Sequence, residues 1–163
     1  MIDISRHREL FDAEKFDTPI TIVGVGATGS WVALMLAKLG IRGELITVYD
    51  FDVVEEHNVA NQIYGLQDIS MPKVKALSQL LIKITEIEIH AVNNKLTTQR
   101  LSGIVFLMVD SMEQRKLIWE NAIKMKSAIQ LLIEPRMGID VGRIYNVNPV
   151  NLNHIGDYEN TLS

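Results

Sequence analysis

The sequence predicts an α/β fold: a Rossmann-like, mostly parallel sheet with helices on both faces. Three observations carry that expectation. Short apolar runs alternate with segments of helical periodicity along the chain, a pattern that calls for a parallel sheet covered on both sides. The run from Ile20 to Val23 leads into a glycine loop, Gly24-Val25-Gly26-Ala27-Thr28-Gly29, which opens a long helical pattern, as in nucleotide-binding βα units. Two further apolar runs stop at acids, Asp50 and Asp110. In such sheets ligands bind at the carboxyl ends of the strands, so the loop and both acids are expected there together.

The elements follow in order. Residues 4–14 read as a short amphipathic helix carrying Arg6 and Arg8, broken by Thr18-Pro19. A strand is expected over 20–24 and a helix over 28–39, with Trp31, Leu34, Met35 and Leu39 at helical spacing on its core side. A second strand runs over 44–49. The polar stretch 51–71 is long for a structureless loop, and such loops are often functional. Pro72 suits the first turn of a helix reaching about residue 84. Strands are expected over 87–92, 104–109 and 129–133, a helix over 112–126 with Trp119 in the core, and a last strand or hairpin over 138–147. Glu134-Pro135-Arg136 follows a buried strand and is expected at the rim of the site, while 151–163 reads as an entry into further chain.

The bulk numbers narrow the classes. A chain of 163 residues with 47% hydrophobic and 22% charged residues builds one globular domain with a real core. A net charge of −4 argues against a nucleic-acid partner. There is no cysteine, hence no disulfide, thiolate metal site or thiol nucleophile within these residues. The opening MIDISRHREL has charges where a signal peptide is apolar. No apolar run approaches the ~20 residues of a membrane span. The expected setting is cytoplasmic, away from membranes.

The glycine loop alone fits either a dinucleotide or ATP. Gly24 permits a tight turn, Gly26 lets a phosphate approach the backbone, and Gly29 allows close packing. A helix starting near Thr28 points free N–H groups at an anion. Asp50 stands where a ribose-binding acid is expected, with either ligand. The segment DFDVVEEHNVANQ over 50–62, followed by Lys73, separates the two. A simple dehydrogenase has no use for this cluster of acids and amides. An ATP site needs a cation for phosphate charge and a carboxylate for magnesium. The residues expected to bind nucleotide on these grounds are Gly24, Gly26, Ala27, Thr28, Gly29, Asp50, Asn58, Gln62 and Lys73, to which the resemblance given next adds Asp52 and Asn61. The histidines show no metal-ligand spacing.

These motifs resemble the ThiF/MoeB/HesA family, the adenylating domain related to ubiquitin-activating enzymes. That family's pattern is a Gly-rich loop, D-x-D-x-V-x-x-x-N-x-x-R-Q, a lysine, and a strand ending in Asp with an Arg five residues later. Here they are GVGATGS, DFDVVEEHNVANQ, Lys73 and VDSMEQR ending at Arg115, so the resemblance covers roughly residues 5–150. It implies that Asp50 binds the ATP ribose, with Asp52 shaping the site behind it. Asn58, Gln62 and Lys73 face ribose and phosphates, Asp110 holds Mg2+, and Arg115 braces that strand end. Ser5-Arg6-His7 resembles the family's N-terminal arm, which makes Arg6 a finger acting in a partner's site within a homodimer. The implied catalytic set is Arg6, Lys73 and Asp110. The implied reaction is adenylation of the C-terminal carboxylate of a ubiquitin-like or sulfur-carrier protein.

Two departures qualify the resemblance. Asn61 stands where the family has arginine, which removes a phosphate-binding cation. The crossover cysteine and the CxxC zinc ligands of many members are absent, so residues 1–163 read as one ATP-binding adenylation domain, or as the N-terminal part of a longer chain. Two alternatives stay open: a non-catalytic dimer partner of such an enzyme, and a nicotinamide-dependent Rossmann oxidoreductase.

Overall fold

The computed structural model describes residues 3–6 and 8–162. Six strands form one sheet in the order β3-β2-β1-β4-β5-β6. They are β1 (Ile20–Val23), β2 (Ile46–Asp50), β3 (His90–Asn93), β4 (Gly103–Leu107), β5 (Ile129–Met137) and β6 (Gly142–Val147). The first five are parallel, and β6 returns antiparallel to β5. Successive side chains of a strand point to opposite faces, and here each face has its own core. Ile20, Ile22, Ile46 and Val48 pack with α1 (Gly29–Lys38) and α2 (Lys73–Thr85). Val23, Val105, Leu107 and Leu132 pack with α3 (Met112–Ile118), the turn after it and α4 (Leu152–Glu159). The mostly parallel, doubly covered sheet expected from the sequence is therefore present.

Several local expectations change. The helix expected over 4–14 is absent among the described residues: the chain makes turns and one short 3-10 segment, Ala13–Lys15. Local polar side chains take the backbone donors that a helix would use. Asp3 accepts from Ser5 N–H at 2.9 Å, and Asp12 accepts from Glu14 N–H at 3.2 Å. On α1 the buried positions are Gly29, Ser30, Ala33, Leu34 and Ala37. Trp31 and Met35 instead face outward, 49% and 59% exposed. Small residues let this helix lie close against the sheet, so Trp31 and Met35 fall on its outer stripe.

The helix expected over 112–126 is split. It ends at Ile118, and Trp119–Ile123 forms a wider π turn, closed by Lys124 N–H donating to Trp119 O at 2.8 Å. That turn buries Trp119 completely, its ring 4.6 Å from that of Tyr158. β5 runs on through Glu134, Pro135 and Arg136 to pair with β6 in a hairpin, and the closing segment forms α4. Within the long segment after β2, two short 3-10 turns and a bridge between Val53 and Pro72 supply structure that the polar sequence hid.

Candidate active site

A cavity of about 680 Å³ opens at the carboxyl ends of the parallel strands. Its walls include Gly24, Gly26, Ala27 and Thr28 from the loop after β1, Asp50 and Asp52 after β2, and Asp110 after β4. This is the crevice beside the switch in strand order, where β1 stands between β2 and β4.

The loop is shaped by contacts that only glycine tolerates. Gly24 has φ +89°, and a side chain there would lie 2.7 Å from Met108 O. At Gly29 a Cβ would sit 1.9 Å from Gly24 O, so the first turn of α1 can fold onto β1 only without one. The result directs the N-terminus of α1 toward the cavity, where a helix start favours an anion.

Asp50 fastens the loop to β2. It is 8% exposed, and its two carboxylate oxygens accept from Val25 N–H at 2.8 Å and Asp52 N–H at 2.9 Å. Tyr64 adds a second fastening: its hydroxyl donates to Val25 O at 2.6 Å. Burial pushes the Tyr64 hydroxyl well above its ordinary pKa, with the charge of Asp50 adding to the effect, so it stays protonated as a donor. Sequence reasoning missed Tyr64; an aromatic inside the mostly polar long segment was its one signal.

Lys73 opens α2 with only 9% of its side chain exposed, and its ammonium lies 3.1 Å from Asp52 Oδ2. The pair is doubled in the main chain, where Lys73 N–H donates to Asp52 O at 2.9 Å. Asp52 thus holds the cation in the cavity wall while staying half exposed itself. An adjoining depression of about 490 Å³ shares Phe51, Asp52, Gln62, Lys73 and Asp110, and adds Asn58 and Asn61. Asn58 spends its side-chain oxygen on Glu55 N–H at 2.9 Å, which makes it a cap of the 3-10 turn as well as a wall residue. Gln62 carries a buried Oε1 with no partner, beside Gly26. An orphaned buried acceptor of this kind costs stability unless a ligand or water satisfies it. Asn61 is exposed and brings no charge.

Asp110 follows β4 and is exposed to both cavities. Among the described residues no three acids or histidines converge as a metal site. A lone carboxylate fits a magnesium ion whose other ligands are phosphate oxygens and water. Arg115 is buried behind it; its guanidinium donates to Val109 O and pairs with Glu134 at 2.6 Å. Glu134 was expected at the rim and lies instead fully buried, while Pro135 and Arg136 do line the cavity. Arg6 is exposed and lines neither cavity of its own chain, and His7 lies outside the described residues. Also missed were Asn94 to Thr97 after β3, and Gln114 and Asn121 along α3 and the π turn, which complete the walls. No helix among the described residues is long and apolar enough to cross a membrane.

Comparison with known proteins agrees with this arrangement. The model of the ThiF family matches residues 9–131. Ubiquitin-like modifier-activating enzyme 5 of Caenorhabditis briggsae is 39% identical over 80 residues, which is 47% of this chain and 18% of that protein. The crystal structure of Escherichia coli tRNA N6-threonylcarbamoyladenosine dehydratase, TcdA, in complex with AMP superposes with a TM-score of 0.67. It is 23% identical, over 86% of this chain and 65% of the other. The structure of E. coli MccB with AMPCPP and the MccA peptide gives a TM-score of 0.63 at 18% identity, over 83% and 44% of the two chains. At these identities the two structures speak for the fold. The chain spans 18% of the curated relative's length, 65% of the TcdA chain and 44% of the MccB chain.

Proposed function

The chain belongs to the ThiF family, and on that premise we propose that it is an ATP-dependent adenylyltransferase acting on the C-terminal carboxylate of a ubiquitin-like or sulfur-carrier protein. The observation that carries the reading is the convergence, around one cavity, of the loop at Gly24–Gly29, Asp50, Lys73 and Asp110. A dinucleotide site would account for the first two. A buried lysine and an exposed acid at the far strand end suit a triphosphate and its counter-ion.

In this reading the loop N–H groups and the α1 N-terminus bind phosphate, and Asp50 lies beside the ribose. Lys73, held in place by Asp52, meets charge building on the phosphate oxygens as the substrate carboxylate attacks the α-phosphorus. The new bond joins carboxylate oxygen to phosphorus, the bond to the β-phosphate breaks, and pyrophosphate leaves with its charge. Asp110 would hold Mg2+, which would supply further neutralisation of phosphate charge. Little else is asked of the protein beyond positioning. TcdA has been solved with AMP, which supports an adenine nucleotide. Arg6 acts from the partner subunit of a homodimer.

A non-catalytic dimer partner is the second reading. One observation favours it: the adjoining depression carries Asp52, Glu55 and Asp110 but Lys73 as its one lysine or arginine, with Asn61 where the family has arginine. Calorimetric titration with ATP plus magnesium, and separately with NAD, tests the proposal. Magnesium-dependent ATP binding that falls in Asp110→Ala is the expected result. NAD binding indifferent to Asp110 would overturn it in favour of an oxidoreductase.

A further inference from the structure

In the wall formed by α3 and the end of β5 lies a largely buried charged cluster, its two arginines lining the cavity, that the reaction above does not use. At its centre is Glu134, with no solvent exposure. Arg115 Nε lies 2.6 Å from its Oε1, an ion pair by proximity without hydrogen-bond alignment. Arg136 engages the same carboxylate through Nε and, at 3.3 Å, through Nη2, and the Tyr158 hydroxyl donates to Oε2. Each arginine also holds a main-chain carbonyl: Arg115 that of Val109, and Arg136 that of Thr161 at 2.7 Å. Two guanidiniums thus share one buried carboxylate.

Buried ion clusters add little stability over a well-packed apolar core, so the geometry they fix is the better question. Here it is the end of β4. Met108 N–H still donates to Val23 O at 2.7 Å, and beyond that bond the chain leaves the sheet. The Val109 carbonyl has no strand neighbour to hold it; Arg115 does so instead. The next residue is Asp110, exposed to the cavity.

We propose that Glu134 is a positioning residue for Asp110. By clamping Arg115 it fixes the Val109 carbonyl, and with it the direction in which the Asp110 carboxylate enters the cavity. Arg136 and Tyr158 clamp Glu134 in turn, which makes the end of α4 part of the site's support. The inference rests on the reading of Asp110 given above.

The test uses ATP and AMP as probes, with magnesium varied. Glu134→Gln keeps the shape and removes the charge. The magnesium concentration needed for tight ATP binding should rise about tenfold or more, while AMP binding without magnesium stays as in the native chain. The double variant with Asp110→Asn should bind ATP no worse than Asp110→Asn alone, because both changes act through one carboxylate. A merely structural role would lower thermal stability and AMP affinity together and leave the magnesium dependence unmoved. That result, or losses that add in the double variant, overturns the inference. If Glu134→Gln does not fold, Tyr158→Phe, which deletes one hydroxyl, is measured in the same way and decides by the same outcomes. Should Asp110→Asn itself keep the native magnesium dependence, the reading of Asp110 fails and the inference falls with it. An intact Asp110 effect beside an unaffected Glu134→Gln removes the inference alone.

Discussion

Lys73 is the residue on which the proposed chemistry leans hardest. It is the one lysine or arginine lining both cavities, and its ammonium is held by a half-exposed acid at 3.1 Å. Replacing it with alanine frees Asp52 into water rather than stranding a buried charge, so the fold should survive. Lys73→Ala should lower adenylation by at least about a hundredfold, the scale of losing one preorganised contact to a developing charge. Pyrophosphate exchange, with circular dichroism as the folding control, checks this; native-like exchange would remove Lys73 from the mechanism. At this scale much was legible beforehand. Asp50, Lys73 and Asp110 follow apolar runs or open a helix, so periodicity placed them. Asn58 was harder, because a side chain in a polar loop can face ligand or cap its own turn, and only the fold reveals that it caps. Tyr64 and Glu134 were illegible because their partners are backbone and arginine atoms distant in the sequence.

Elements differ in how their apolar faces are used, and α1 and the π turn make the contrast. Spacing alone assigned both tryptophans to the core. Trp119 is fully buried, whereas Trp31 is half exposed on the outer stripe of α1 with Met35. Trp119→Ala should cost about 3–5 kcal/mol, and Trp31→Ser less than about 0.5 kcal/mol, as read from urea unfolding. Equal costs would contradict the described packing. α4 gives a pH prediction. Glu159 accepts from Lys124 at 2.5 Å and from Trp119 Nε1 at 2.9 Å. These contacts, Lys124 foremost, hold its carboxyl below the ordinary value of 4.5. Its contribution is therefore complete above that value and is lost as pH falls through the lowered folded value. Glu159→Gln should lose less stability than the native chain across that acid window, and parallel stability curves would dismiss the bond.

The whole molecule sets the limits of its own site. The sheet order was legible in outline, since alternating strands and helices with a glycine loop after β1 admit few topologies. The absent N-terminal helix and the split α3 were not, because local hydrogen bonds and a tryptophan's packing overrode the apolar period. Arg6, outside both cavities of its own chain, can serve the reaction only across a subunit interface. Mixing Arg6→Ala chains with Lys73→Ala chains, each inactive alone, should restore measurable activity, since one of the two sites in the mixed dimer then has both cations. No recovery in a verified mixed dimer would end the proposed trans role.

The central position of β1 has a further consequence, and it concerns time rather than place. Ile20 pairs with Ile46 on one side and with Ile104 on the other. The second pairing closes a long stretch of chain, and such closures come late and slowly in folding. Gly24, pressed against Met108, can take its shape only after that closure. The phosphate cradle is then among the last features to assemble and, being absent from the rate-limiting barrier, should leave the refolding rate indifferent to added ATP. Bound nucleotide should appear instead as slower unfolding, a lifetime conferred on the finished sheet by the ligand it carries.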